Sequence, residues 1–240
     1  MLIKLRPKSE FSRNVLTLMT GTTIAQAIPI AISPILTRIY TPEDFGVFAL
    51  FIGVVGVISV IATLTYEQAI ILPKYDKYAI NIFMLSLILI LFTSIFSFII
   101  IFSFKEEILN LLNNDLLGNW LFFVPITVFF LALFNLLTNY NNRIKEYKDI
   151  AKATVIKSLV LSIIQVLIGF LKSGFAGLIL GQVLAQIFAN FKLAKNILKN
   201  KILLSSVSYI QMLVLARKYF NFPKYHMPHA LFGNISSNLP

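Results

Sequence analysis

Long uncharged apolar runs alternate with short polar stretches along this chain, and six of the runs are long enough to cross a bilayer. A hydrocarbon core about 30 Å thick requires roughly 20 residues of helix. In lipid, only a helix satisfies every backbone polar group within its own segment. The predicted spans are residues 14–36, 46–64, 79–104, 117–138, 153–171 and 174–191. The pattern therefore predicts an all-α, polytopic membrane protein whose six-helix transmembrane lobe occupies residues 1–191.

The chain after the sixth run is less regular. Residues 192–225 are predicted to form a basic linker in the cytoplasm or at the membrane interface. Within it, residues 202–216 have the pattern of an amphipathic helix lying on the membrane surface. Residues 226–240 read as the truncated start of a seventh helix, since they are too few to span a bilayer.

Composition supports the membrane interpretation and excludes several kinds of site. Hydrophobic residues make up 58% of the 240-residue chain and charged residues 13%, whereas soluble domains carry about 25% charged residues. The absence of cysteine excludes a disulfide scaffold, a thiol nucleophile and a cysteine zinc site. His226 and His229 have no acidic or cysteine partner in the tail, so no metal site and no cofactor are predicted.

The basic residues indicate orientation and not a nucleic-acid partner. Most of the 21 Lys and Arg residues lie in the N-terminal tail, in the loops after the second and fourth spans, and in the tail after the sixth. The opposite loops hold only Arg38, Lys105 and Lys172. Because cytoplasmic loops are enriched in Lys and Arg, this distribution predicts a cytoplasmic N-terminus.

Two neighbouring faces of the sixth predicted helix differ in their residues: one is formed by small residues and the other by polar ones. Small residues recur every four positions and allow close helix packing in lipid; they are Gly177, Gly181, Ala185 and Ala189. Polar residues follow the same spacing about 100° away; they are Gln182, Gln186 and Asn190. Polar side chains at membrane depth face protein or water, so this face either lines a substrate path or forms interhelical hydrogen bonds.

Four further residues are candidates for lining such a path. Gln26 lies near the middle of the first span and Gln165 near the middle of the fifth. Lys157 lies about one turn into the fifth span, where its side chain either extends to the interface or pairs with a substrate phosphate. Arg38 would place a positive charge near the opposite end of the path.

Three segments resemble those of Wzx-type polysaccharide and O-antigen flippases, which belong to the multidrug/oligosaccharidyl-lipid/polysaccharide exporter superfamily. Residues 36–46 are similar to the first external loop of these flippases, residues 66–73 to the loop after their second helix, and residues 219–225 to the segment leading into their seventh helix. The resemblance implies a MATE-like N-lobe in the bacterial inner membrane. It also implies transport of a lipid-pyrophosphate-linked oligosaccharide around a central, often cationic cavity.

This chain departs from the family in length, because such flippases have about twelve to fourteen helices. Residues 22–29 align weakly with residues 233–240, which suggests that a second, parallel repeat begins there. The chain is therefore expected to be an N-terminal half that requires a C-terminal half or forms a homodimer, or else an inactive fragment. A membrane polymerase or acyltransferase of the same pathway and a multidrug exporter of the same superfamily are the alternatives.

Overall fold

The computed structural model describes residues 10–172, 174–199 and 205–238, and it contains no strand in these ranges. Six helices are long and apolar enough to cross a membrane; they cover Asn14–Ile39, Pro42–Thr63, Asp76–Ser103, Asp115–Arg143, Tyr147–Phe170 and Ala176–Leu198. The predicted all-α, six-span architecture is thus confirmed, whereas the cytoplasmic position of the N-terminus stays a prediction.

Shorter helices lie between and after these spans. The α-helices are α1 (Glu10–Ile39), α2 (Pro42–Thr63), α3 (Asp76–Ser103), α4 (Lys105–Leu112), α5 (Phe123–Arg143), α6 (Tyr147–Phe170), α7 (Ala176–Leu198), α8 (Tyr209–Lys218) and α9 (Met227–Asn238). Two 3-10 segments occupy Tyr66–Ile71 and Asp115–Phe122, and a π-helical turn occupies Phe222–His226.

Helix α5 lies at the centre of the bundle, where it contacts α2, α3, α7 and the 3-10 segment Tyr66–Ile71. Helix α7 packs between α5 and α6, and α6 in turn packs against α1. Fully buried apolar side chains such as Phe51, Ile82, Ile90 and Leu136 fill the interior. Large apolar side chains on α3 point outward instead, which is the pattern expected of a surface that lipid covers.

The bundle has two ends that differ in charge. We call one the basic end: it carries the start of α1, the loops after α2 and α5, and the residues after α7. At this end Arg143 forms an ion pair with Asp76, with 2.7 Å between Nη2 and Oδ1. The Arg143 guanidinium also donates to the backbone carbonyls of Ile70, Ile71 and Pro73. One side chain thus joins the end of α5 to the loop between α2 and α3.

Helix α7 continues to Leu198, beyond the expected end of the sixth span at residue 191. The added turns are held by polar contacts at the basic end. Lys192 pairs with Asp149 at 2.8 Å, and the Asn196 amide donates to both Asn141 and Asp149. These bonds fix α7 to the end of α5 and the start of α6.

At the opposite end, a helix cap and an aromatic cluster stabilise the ends of the helices. Thr41 and Asp44 form a capping box at the start of α2, in which each side chain accepts a hydrogen bond from the backbone N–H of the other. Trp120, the single tryptophan of the chain, lies with its ring centroid 5.1 Å from that of Phe123 and 5.9 Å from that of Phe175. It therefore links the start of α5 to the residue before α7.

Candidate functional site

A polar cavity of about 520 Å³ lies between α2, α5, α7, α9 and the 3-10 segment Tyr66–Ile71. Apolar side chains of α2, with Leu131 of α5, form part of its wall. The polar residues that line it are Ser59, Thr65, Glu67, Gln68, Asn135, Gln182 and Asn234. Because four helices contribute to the wall, the site exists only when the bundle is folded.

A sharp turn after α2 brings Glu67 and Gln68 to the cavity. Leu64 and Thr65 both adopt the left-handed conformation, with φ of 50° and 58°. This conformation is costly for residues with a side chain, so the surrounding contacts must hold it in place. The chain reverses at this point, and the following 3-10 segment starts with Tyr66 and Glu67 buried.

Glu67 is the one charged residue among those that line the cavity. Its side chain is buried, and its Oε2 has no hydrogen-bond partner among the described residues. Burial raises the pKa of Glu67, and a hydrogen bond with Thr63 offsets part of this effect. The lining of this cavity is therefore acidic and amide-rich. The central, often cationic cavity that the family resemblance implies would lie between two lobes, and it stays a prediction.

The polar face of α7 divides along its length. Gln182 is half-buried and lines the cavity. Gln186, one turn further, is fully buried, and neither its Oε1 nor its Nε2 has a hydrogen-bond partner among the described residues. Asn190 donates to the Phe130 carbonyl of α5 at 2.8 Å. The face thus changes from a cavity wall to an interhelical contact towards the basic end.

The remaining predicted lining residues lie apart from this cavity. Gln165 is buried between α6 and α7, where its amide is 3.5 Å from the Leu178 carbonyl. Lys157 is half-buried, with its Nζ 4.7 Å from the centroid of the Phe134 ring. Gln26 and Arg38 are exposed on α1. Of the seven residues, only Gln182 reaches the cavity, and the lining role of the others stays a prediction.

The small-residue face of α7 packs against α6. A Cβ atom added at Gly181 would lie 2.7 Å from Cγ of Gln165 and 3.3 Å from the Leu161 carbonyl oxygen. A Cβ atom at Gly177 would overlap the Tyr40 hydroxyl. Further along the helix, Ala185 and Ala189 are fully buried. This side of α7 leaves no space for a larger side chain at either glycine.

Sequence reasoning missed Glu67, Gln68 and Asn135 as candidate site residues. Glu67 and Gln68 contributed only to the resemblance of residues 66–73, although an acidic residue directly after an uncharged span is a signal in itself. Asn135 lies within the fourth span, where its polar side chain is equally unusual. Among the described residues, no group of three or more His, Asp or Glu side chains could hold a metal ion.

Comparison with known proteins gives one family match and one similar solved structure. The family model described as "Polysaccharide biosynthesis protein" matches residues 35–233. Among solved structures, "MATE transporter ClbM in complex with Rb+" is similar, with a TM-score of 0.47 and 17% identity. The match covers 87% of this chain and 52% of that one, so the chain spans about half the length of that transporter. No curated protein matches the chain.

Proposed function

Because the chain belongs to the polysaccharide biosynthesis protein family, we propose that it forms one lobe of a membrane flippase. Its substrate is a lipid-linked oligosaccharide, which it moves across the bacterial cytoplasmic membrane during assembly of surface polysaccharide. The protein acts as a transporter and not as an enzyme. The observation that carries the proposal is the polar cavity among α2, α5, α7 and α9, since polar lining at membrane depth is costly unless it serves a ligand or water path.

The chemistry of the cavity fits the sugar part of such a substrate. The side chains of Gln68, Asn135 and Gln182 each offer a donor and an acceptor, and Glu67 offers a carboxylate. Sugar hydroxyls both donate and accept hydrogen bonds, so they match this set. A phosphate carries negative charge and is repelled by Glu67. The pyrophosphate therefore lies outside this cavity. Arg38, in the last turn of α1, supplies positive charge towards one end of the path. Lys157, the eleventh of the 24 residues of α6, supplies it nearer to the middle of the membrane.

A second lobe completes the path, either as a C-terminal half or as a second copy of this chain. Helix α1 leaves Gln26 exposed near the middle of its span, and this amide has no hydrogen-bond partner among the described residues. An unpaired amide facing lipid is unfavourable, so a protein surface or a water-filled cavity beside α1 is the better environment. We infer that the side of α1 that exposes Gln26 is the side of the lobe that meets its counterpart.

One observation favours a second candidate function, a multidrug exporter. A cavity with apolar walls and a single buried carboxylate also suits an organic cation, because the cation would compensate the charge of Glu67. The two functions differ in the group that they require. A sugar substrate depends on the amides of the cavity, whereas a cationic drug depends chiefly on the Glu67 carboxylate.

The test is complementation of a bacterial strain that lacks its own polysaccharide flippase. The chain is expressed alone, and then together with a separately supplied C-terminal half of a related flippase. Asn135→Leu removes an amide from the cavity. Asn139→Leu is its matched control, since it lies one turn along α5 and outside the cavity lining, and its amide donates to the Asn135 backbone carbonyl and not to the Asn135 side chain. Protein levels in the membrane are compared by immunoblotting so that surface polysaccharide is measured at equal expression.

Complementation should appear in the presence of the second lobe. We expect Asn135→Leu to lower surface polysaccharide about tenfold, since losing a hydrogen bond to a substrate hydroxyl costs roughly 1–2 kcal/mol. Asn139→Leu should stay within about twofold of the parent chain, the usual range for substitutions away from a site. Equal effects of the two variants would contradict the assignment of the cavity. Resistance to cationic dyes that is lost in Glu67→Gln, without polysaccharide export, would instead support the drug exporter.

A further inference from the structure

A second pocket, of about 610 Å³, lies at the basic end between α8 and the start of α3. It shares no lining residue with the polar cavity. One part of its lining is basic and aromatic and consists of Lys74, Tyr75, Tyr78, Lys218 and Tyr219. The pocket therefore belongs to the outside of the lobe and not to the proposed transport path.

Hydrogen bonds over long sequence separations hold α8 in place as one wall of this pocket. The Tyr66 hydroxyl donates to the Ala216 carbonyl at 2.9 Å, two residues before Lys218. Asn81 of α3 accepts from the Ser208 N–H at 2.8 Å and donates to Oε1 of Gln211 at 3.3 Å. Because Gln211 itself lines the pocket, the wall and the lysine that it carries are held against α3.

Positive charge in the pocket is uncompensated. No acidic residue lines it, and neither Lys74 nor Lys218 forms an ion pair within the described part of the chain. Asp76, the acidic residue nearest to Lys74 in sequence, is already bound by Arg143. Each lysine lies beside the ring of its neighbouring tyrosine, with Nζ 5.9 Å from the Tyr75 centroid and 5.6 Å from the Tyr219 centroid.

The rim of the pocket is apolar and faces outward. Leu72, Ile210 and Val214 line it and are each more than half exposed. Two further apolar residues of α8 are buried: Met212, and Leu215 where α8 borders the pocket. A helix with one exposed apolar side, at the level where the span Asp76–Ser103 begins, is typical of a membrane interface. Tyrosines and lysines concentrate at the same level in membrane proteins.

We propose that this pocket binds the phosphate headgroup of an anionic glycerophospholipid. Lys74 and Lys218 contact the phosphate from two sides, and the tyrosine hydroxyls are available as hydrogen-bond donors. The acyl chains lie over Leu72, Ile210 and Val214, which gives these exposed side chains an apolar partner. The bound lipid anchors α8, and through α8 the segment that leads to α9, at the membrane surface.

The test uses the purified full chain in a neutral detergent and native mass spectrometry of its lipid adducts. Phosphatidylglycerol and phosphatidylcholine with identical acyl chains are compared at equal concentration. The double variant Lys74→Gln/Lys218→Gln removes both charges of the pocket. The control double variant Lys145→Gln/Lys148→Gln removes two exposed lysines at the same end of the bundle, one from the loop between α5 and α6 and one from the first turn of α6. Melting midpoints of all forms verify that each is folded.

The parent chain should retain phosphatidylglycerol in preference to phosphatidylcholine. We expect the pocket variant to lower phosphatidylglycerol occupancy by about tenfold or more, since each lysine near an anionic lipid contributes measurably, while the control variant keeps the parent's occupancy. Lys74→Arg/Lys218→Arg should restore binding. Equal losses in the pocket and control variants would overturn the proposal, because they indicate general surface attraction. Displacement of phosphatidylglycerol by equimolar farnesyl pyrophosphate would also overturn it, by identifying a site for lipid pyrophosphates.

Discussion

The two sides of α7 show how one helix can serve two opposite purposes. Towards α6, the contacts at Gly177 and Gly181 are so close that a single added carbon would collide with Tyr40 or Gln165. Towards α5, Gln182 borders an open cavity and Gln186 has buried polar atoms with no hydrogen-bond partner. The first side has no freedom to rearrange. The second side has both space and unsatisfied polar groups.

The difference indicates which part of the lobe is a rigid support. Close packing of small residues fixes the position of two helices in lipid, where there is no hydrophobic driving force between them. The pair α6 and α7 therefore forms a support that holds the polar side of α7 at a constant depth. Changes in packing during transport are then expected on the cavity side, where α2, α5 and α9 meet α7.

The largest expected effect concerns the sides of the membrane on which the ends of α6 and α7 lie. The chain has no cysteine, so a single introduced cysteine can be labelled without background. Lys145 and Lys172 are a matched pair, since both are exposed lysines in the left-handed conformation, at opposite ends of α6. A membrane-impermeant maleimide should label Lys172→Cys in intact cells, and Lys145→Cys only after lysis. The reverse result would invert the predicted topology.

The next effect tests the tight side of α7. Gly181→Leu should sharply reduce the yield of monodisperse protein, since overpacking costs about 1–3 kcal/mol even where neighbours can shift. Here one neighbour is the Leu161 backbone. Gly53→Leu on α2 is the control, because a Cβ at Gly53 has no neighbour within 4 Å. Size-exclusion chromatography of tagged protein measures both. Similar losses in the two variants would remove the distinction between a packed side and an open one.

A smaller effect should separate two polar residues on the other side of α7. Asn190→Leu removes the hydrogen bond to the Phe130 carbonyl and should cost about 1–2 kcal/mol. Gln186→Leu removes an amide that has no partner in the described part of the chain, so it should be neutral or stabilising. The melting midpoint in detergent measures the difference. If Gln186→Leu destabilises as much as Asn190→Leu, the Gln186 amide has a partner in the folded protein.

The smallest expected effect is a pH dependence at the cavity. Burial raises the pKa of Glu67, so the folded chain keeps this proton at pH values where the unfolded chain has released it. The free energy of unfolding therefore falls as the pH rises from the ordinary carboxyl range through the raised pKa. The side chain that replaces Glu67 in Glu67→Gln has no charge at any pH. The melting midpoint of this variant should therefore fall less between pH 5 and pH 8 than that of the parent chain. Glu146→Gln, at an exposed site of the basic end, should show the same fall in melting midpoint as the parent chain. A pH profile of Glu67→Gln that equals the parent's would contradict the prediction.

The spans could be predicted from sequence because the bilayer imposes a length and a composition on every crossing helix. The ends of the helices could not, since they depend on partners outside the apolar run. Helix α7 extends to Leu198 because Lys192 and Asn196 find partners on α5 and α6. Helix α4 was not predicted, because eight residues that begin with charged ones read as a loop when hydropathy alone is considered.

The cavity was only partly predictable for a related reason. Regular spacing on one helix identified Gln182, and the packed side of the same helix was identified by its small residues. Glu67 reaches the cavity through two left-handed residues after α2, and neither Leu64 nor Thr65 has the glycine signature of such a turn. Asn135 and Asn139 cannot be told apart without the positions of α2 and α9. Which residues meet across helices is a property of the assembled bundle.

The position of Trp120 gives the protein an intrinsic fluorophore at an informative place. Because Trp120 is the single tryptophan, it accounts for all fluorescence excited at the long-wavelength edge of the aromatic absorption band. No other residue must be removed to interpret a spectrum. Its ring touches Phe123 at the start of α5 and Phe175 just before α7, at the end of the bundle opposite to the basic one. Any separation of α5 from α7 at this end exposes the indole to a more polar environment. The wavelength of its emission maximum therefore reports whether α5 and α7 separate at this end of the bundle.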